Sequence, residues 1–212
     1  MGRGMTTSEE RARAAATIDP ESLAEARGAV EARCRLFLRR LDLLEAGIEN
    51  VRRSGDVHRF SLALSMFLLD SLPLKPEACP FCVQNAGGCR CEGCGYAEAH
   101  GGRCDAEASA FGQLAEAVDD LAGQLHVLRN DLPARAIDLQ DAGEGLRSSI
   151  EGSRAAAKEL MAEAEEADVP GLMEAKRDYV EAILDALPAG CIGSKQVDGS
   201  LKEVREKLVW YW

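Results

Sequence analysis

The chain has 212 residues, of which 46% are apolar, 29% charged and only 5% aromatic, a balance too apolar for a disordered chain and sufficient for a folded core. Its longest apolar stretch, 61–74, is short and carries Asp70, which argues against a membrane-spanning helix. The net charge of −11 is uneven: residues 1–106 hold 14 basic and 15 acidic side chains, whereas residues 107–212 hold 11 and 21. The acidic half repels phosphate backbones, which disfavours nucleic acid as a partner.

The first residues, MGRGMTTSEERARAAATIDP, lack the apolar middle of a secretory signal, so the expected location is cytoplasmic, with reduced thiols. Residues 1–18 are expected to form a flexible tail. Asp19-Pro20-Glu21 then supplies a cap, a first-turn proline and an early acid, and Ser54-Gly55 supplies a stop, predicting a helix of about 34 residues. Along it Val30, Cys34, Phe37, Leu41, Leu44, Ile48 and Val51 alternate in steps of four and three, a heptad seam. A second helix is predicted over 57–71, capped by Asp56 and ended by Pro73 and Pro76. It is apolar on most sides and therefore the element most enclosed by the others. Together, 19–74 make an N-terminal helical pair.

Beyond the cysteine-rich segment, 75–106, Ser109 is the predicted cap of a helix whose seam is Phe111, Leu114, Val118, Leu121, Leu125, Leu128 and Leu132. Pro133 either opens the next helix or kinks a continuous one. A weaker seam, Leu139, Ala142, Leu146, Ile150, Ser153, Ala157, Leu160 and Ala164, runs to a break at Val169-Pro170-Gly171, and a further helix ends near Pro188. These helices form the unit 107–187. The remainder, 188–212, is predicted as a loop and a short helix opened by a capping box, Ser200-x-x-Glu203, before the aromatic tail Trp210-Tyr211-Trp212, which is expected to dock on the chain's own bundle. The fold class is all-α: an antiparallel helical bundle or long coiled-coil hairpin with an inserted zinc knot at one end.

Six of the eight cysteines fall in the 26-residue stretch CPFCVQNAGGCRCEGCGYAEAHGGRC. Two residues between cysteines let a tight turn aim both sulfurs at one ion, and two such turns close a tetrahedron around Zn2+. Cys79 and Cys82 with Cys91 and Cys94 are the predicted ligands. Gly93 and Gly95 serve the unusual backbone angles of the second turn. The spacer between the pairs is short, so Cys104, Cys89 or His100 are alternative ligands, Cys104 first among them. An iron–sulfur cluster is the alternative cofactor. Cys34 reads as a buried seam residue, Cys191 as a packed loop thiol, and His58 and His126 as surface or flank residues.

Cys79-Pro80-Phe81-Cys82 looks like the active-site tetrad of glutaredoxin-type oxidoreductases, which implies a redox dithiol. That family sets the tetrad between a strand and a helix, whereas a proline-broken helix and a glycine-rich loop flank it here, with no helix N-terminus expected to lower the nucleophile's pKa. The whole box, with His100-Gly101 and Cys104, resembles cysteine boxes of uncharacterised archaeal and phage proteins. The resemblance covers residues 79–104 and implies a bound metal.

Arg33, Arg35, Arg39, Arg40, Arg52, Arg53 and Arg59 are the one basic concentration, read as a solvated flank or else a partner face. The acids Glu163, Glu165, Glu166 and Asp168 read as a solvated helix end. No nucleophile–base set or phosphate-binding loop is present. The expected function is therefore a non-enzymatic, zinc-binding structural or adaptor protein, with a protein partner or self-association as a homodimer through the seams. An iron–sulfur or thiol redox protein, and a nucleic-acid accessory factor using the basic face, are the alternatives.

Overall fold

The structure, a computed structural model, describes residues 8–54, 56–87, 93–100, 102–104, 106, 108–131 and 139–212. The long first helix forms as the capping signals dictate. The Asp19 carboxylate accepts the Ser22 backbone N–H at 2.7 Å, Pro20 occupies a first-turn position that needs no donor, and the helix runs over Pro20–Ser54. We label it α2, because Ser8–Ala15, inside the stretch expected as a tail, forms α1. The apolar run after it forms α3, Val57–Asp70. Asp56 precedes it without a side-chain cap, and the Asp56 carbonyl accepts the Phe60 N–H instead. Ser61 and Ser65, fully buried in α3, direct their hydroxyls at the carbonyls of Val57 and Ser61, both at 2.8 Å, so neither leaves an orphaned polar group in the core.

A 3-10 turn at Pro76–Ala78 leads into two short helices, α4 (Pro80–Gln84) and α5 (Gly95–Ala99). The long helices resume with α6 (Ala110–Asp131) and α7 (Leu139–Glu166). Ser109 caps α6 as expected, accepting the Gly112 N–H at 2.8 Å. Leu132 and Pro133 lie outside the described residues. Val169-Pro170-Gly171, expected as a break, is instead the first turn of α8 (Val169–Ala186), and Asp168 caps it by accepting the Gly171 N–H at 2.8 Å. After α9 (Ala189–Ile192) the last helix, α10, spans Lys195–Leu208. The expected capping box fails because Ser200 sits inside α10 and is buried; the helix opens one turn earlier, after Ser194. The described residues contain helices and no strands, and no helix among them is long and apolar enough to cross a membrane.

Helix α2 packs along α7, and α7 packs along α8. The α2–α7 pair is antiparallel: Arg27 donates to the Ala167 carbonyl, and Arg154 reaches Asp42 at 2.9 Å and Glu45 at 2.6 Å. Val30, Cys34, Phe37, Leu41 and Ile48 of the α2 seam are buried, so this chain's own helices cover them. Facing them are Leu146, Ile150, Ser153, Ala157, Leu160 and Ala164 of α7, all buried as the weaker seam anticipates. Helix α3 is the most enclosed long element, touching α2, α6, α7, α8 and α9. Helices α2 and α3, adjacent in sequence, thus find their main neighbours later in the chain, in α7 and α6. On the far side α6 packs against α10. His58, expected at the surface, is buried on α3 and its Nδ1 lies 3.1 Å from the Cys191 carbonyl oxygen.

The α2 seam makes a direct comparison available. Leu41 is fully buried and Leu43 is 76% exposed. Leu41→Ala is expected to lose about 2–5 kcal/mol by removing buried methyl groups and leaving a cavity, whereas Leu43→Ala changes stability by no more than about 0.5 kcal/mol. Chemical denaturation of both variants checks the difference.

Candidate metal centre

The cysteine segment is built from two local structures of the same kind. Cys79 adopts extended geometry and is the residue before α4, with Pro80 in the first turn. Its carbonyl takes the N–H groups of Cys82 and Val83, both at 3.0 Å, while its sulfur accepts from the N–H groups of Phe81 and Cys82. Cys94 stands in the same relation to α5, its sulfur accepting from Tyr96 and Ala97 N–H. Gly93, just before it, has φ +75°, the backbone angle for which glycine suits this turn. Gly95 serves a different purpose: a Cβ there would stand 3.1 Å from the Cα and Cβ of Ala14, so its lack of a side chain lets α1 close against α5. The expectation that Cys79-Pro80-Phe81-Cys82 lacks a helix start is corrected. A short helix does follow Cys79, and its amides point at the sulfur.

Cys79, Cys82 and Cys104 line one cavity of about 80 Å³ together with Tyr96, Lys176 and Tyr211. The Cys82 thiol hydrogen-bonds to both Cys104 and Cys79 and is pushed well up from the ordinary thiol value. Cys79 is lowered to about 6, first by its hydrogen bond with Cys82, against the opposing effect of burial, and with help from the Lys176 charge. Cys94 is raised by burial, which outweighs its two backbone amides, and further by the charges of Cys104 and Cys79. Negative charge therefore forms most readily at Cys79.

Two features around these sulfurs are not singled out by the sequence reading. The first is Lys176 of α8, 1% exposed, whose ammonium donates to the Ala78 carbonyl at 2.6 Å and lies 5.8 Å from the centre of the Tyr211 ring. Burial lowers its pKa, while the nearby thiolates oppose the shift. Its signal is present in the sequence: Leu172, Lys176, Val180 and Ile183 fall on one helical stripe, so a cation interrupts an apolar face. The second is a cover of aromatic rings. The Tyr96 hydroxyl donates to the Tyr211 carbonyl at 2.9 Å, and Tyr211 and Trp212 are buried while Trp210 is half exposed. Trp212 contacts the rings of Phe81 at 6.0 Å and His100 at 5.5 Å. The aromatic tail thus docks on its own chain, as expected, and it does so over the cysteine segment.

His100 stacks on Tyr96 at 4.0 Å. Its Nδ1 is 3.0 Å from the Tyr96 carbonyl oxygen, and its Nε2 is buried without a partner. With the proton on Nδ1 the ring carries a bare lone pair at Nε2, the form in which histidine binds metals. The other thiols stand apart. Cys34 is buried in the α2 seam, where desolvation raises it to about 11, and Cys191 is in α9, half-buried. Cys89 and Cys91 lie outside the described residues.

Of the four predicted ligands, then, the structure brings Cys79 and Cys82 together and sets Cys94 within electrostatic range. It adds Cys104, the first alternative. Among the described residues no three Cys, His, Asp or Glu side chains form a completed cage for a metal ion. The donors nonetheless suit one: they are soft sulfurs, two of them already held by backbone amides that favour the thiolate, the chemistry that selects zinc or iron–sulfur. In the basic set, Arg33 is a structural clasp, pairing with Glu77 at 3.1 Å and donating to the Asp70 carbonyl at 3.3 Å. Arg39, Arg40 and Arg59 are exposed. Arg35 pairs with Glu31 one turn away, and the side chains of Arg52 and Arg53 lie outside the described residues. No protein-family model, curated protein or solved structure matches the chain.

Burial lowers His100 to about 4 in the folded, metal-free protein, below the ordinary value near 6.5. The unfolded chain therefore takes up this proton first as pH falls. Stability is full above about pH 6.5 and declines between roughly 6.5 and 4, by an amount on the order of 2–3 kcal/mol. His100→Phe keeps a ring in the stack and should remove that part of the slope in urea titrations run from pH 7.5 to 4.

Proposed function

We propose that the chain is a non-enzymatic zinc-binding adaptor, in which Zn2+ held by Cys79, Cys82, Cys94 and Cys104 closes the cysteine end of the helical bundle and the outer helix faces receive a protein partner. The observation that carries this reading is the pairing of two cysteines, Cys79 and Cys94, each at the start of a short helix with backbone amides on its sulfur, beside two further thiols that hydrogen-bond to one another. Cys104 takes the place that spacing alone gives to Cys91, because its thiol meets that of Cys82. Bringing these sulfurs to bonding distance of zinc, near 2.3 Å, needs only local adjustment of two turns.

A protein-interaction role is supported by the outer face of α2. Leu36 and Leu43 are 41% and 76% exposed. They are seven residues apart and so lie on one side of the helix, with the exposed Arg39 and Arg40 between them in sequence. Two apolar residues among cations suit a protein surface with an apolar strip and acidic rim. Zinc here is structural: it crosslinks a segment whose own helices are too short to be stable alone.

Metal analysis of full-length protein purified under anaerobic conditions tests the reading. A single colourless equivalent of zinc is expected, lost in Cys79→Ser, Cys82→Ser, Cys94→Ser and Cys104→Ser and retained in Cys34→Ala and Cys91→Ser. Loss in Cys91→Ser with retention in Cys104→Ser would restore the ligand set read from the sequence. A brown protein with charge-transfer absorbance identifies a cluster instead, and wild-type protein without metal overturns the reading.

A further inference from the structure

The cavity beside the sulfurs is more than a place for an ion. At about 80 Å³ it is several times what one water needs, roughly 10–15 Å³ measured the same way, so a molecule the size of hydrogen peroxide fits inside. Its walls are largely apolar, from Leu74, Phe111 and Met173, with two cations among its lining residues, the exposed Lys75 and the buried Lys176. Only the Lys176 ammonium is fixed in place by a buried hydrogen bond, to the Ala78 carbonyl. Three thiols line the cavity, and their connectivity is not symmetric: Cys79 and Cys104 each hydrogen-bond to Cys82, which follows Cys79 on the first turn of α4 with its N–H on the Cys79 carbonyl at 3.0 Å.

We infer that the cysteine cavity is a hydroperoxide-responsive dithiol centre in which Cys82 is the sulfur common to every disulfide it forms. The thiolate of Cys79 or Cys104 attacks the outer oxygen of the peroxide. An S–O bond forms, the O–O bond breaks, and the departing alkoxide or hydroxide leaves as alcohol or water with one proton taken up. The Cys82 sulfur then attacks the resulting sulfenic acid. An S–S bond forms and the S–O bond breaks, with the Cys82 proton leaving in the water released. In sum two thiols are oxidised by two electrons and one peroxide is reduced to alcohol and water. Lys176 assists by stabilising the attacking thiolate and the anion expelled. The chemistry uses sulfurs assigned above to zinc but does not depend on zinc being there.

The test treats full-length protein, once metal-stripped and once zinc-loaded, with hydrogen peroxide in stoichiometric steps, then maps disulfides by mass spectrometry of peptides from blocked samples. Wild-type protein is expected to form Cys79–Cys82 or Cys82–Cys104 disulfides, losing two thiols per peroxide. Cys79→Ser and Cys104→Ser each retain the other disulfide. Cys82→Ser and Cys82→Ala stop at a sulfenic acid trapped by a cyclic diketone. A wild-type disulfide joining Cys79 or Cys104 to any sulfur other than Cys82 overturns the inference, as does the absence of any disulfide at this cavity; both are read on wild-type protein, whether or not the variants fold. Release of an equivalent of zinc with each disulfide upholds both readings. Disulfide formation in a protein that never binds zinc upholds this inference while sinking the zinc reading.

Discussion

The ammonium of Lys176 ties the bundle to the cysteine segment. A cation taken fully out of water is costly unless it is paired and hydrogen-bonded, and Lys176 satisfies that requirement with a single strong contact to the Ala78 carbonyl and with the field of the sulfurs. Ala78 is the residue before Cys79, so the contact fixes where the first cysteine turn begins relative to α8. From the opposite side Arg33 of α2 holds Glu77 and the Asp70 carbonyl. The stretch between α3 and α4 is thereby held by two cations from two long helices, and the sulfurs inherit their position from the bundle. Replacing Lys176 with a neutral residue of similar length would leave the Ala78 carbonyl buried and unpaired, and would remove the buried cation beside the thiols.

The long elements are readable from sequence because their signals are local and redundant. Helix α2 has a capping carboxylate, a first-turn proline and an uninterrupted seam, and each separately sets the same boundaries. Ser109 likewise declares the start of α6. The helix starts that differ from expectation share a physical cause. Val169-Pro170-Gly171 contains two residues that disrupt helix interiors, yet both are harmless in a first turn, where amide donors have no helical partner; Asp168, one residue earlier, decides the matter. Ser200 has the spacing of a capping box but sits on the buried stripe of α10 with Val197, Leu201 and Val204, where packing overrides the local preference. The burial of His58 escapes a local reading because its helix has almost no polar face, and its contact, the Cys191 carbonyl, is 133 residues away.

For the site, the residue types are legible and their pairing is only partly so. The spacing of Cys79 and Cys82 makes their approach nearly obligatory once α4 forms. The choice of Cys104 as a neighbour of Cys82 depends on how the chain after α5 turns back, and that is set by contacts from elsewhere: α1 packed against Gly95, and Tyr211 accepting the Tyr96 hydroxyl. Those contacts come from 81 residues before and 115 residues after the positions they fix, and no window along the sequence displays them. Three large aromatics announce a docking tail, but nothing in their order says that it covers the cysteines. Nor does the interruption of one apolar stripe by Lys176 disclose that a thiol lies beyond.

Charge explains why this set of groups belongs together. Four thiolates around a dication leave a net charge of −2, which a buried site must offset. Lys176 supplies one positive charge, and the amides on the sulfurs of Cys79 and Cys94 supply partial positive charge at two helix starts. Without the dication the same groups favour only limited ionisation: Cys79 gives up its proton readily, while Cys82 and Cys94 hold theirs against burial and against the charge of their neighbours. The protein part of the site is therefore matched to about two units of negative charge, more than the bare thiols carry near neutral pH and close to what a zinc tetrathiolate presents. The same surplus of positive potential favours a thiolate facing the cavity when the metal is gone, which is the condition that attack on a peroxide requires. One electrostatic arrangement accounts for both the metal reading and the dithiol chemistry, and it does so through Lys176 and two pairs of backbone amides rather than through the sulfurs alone.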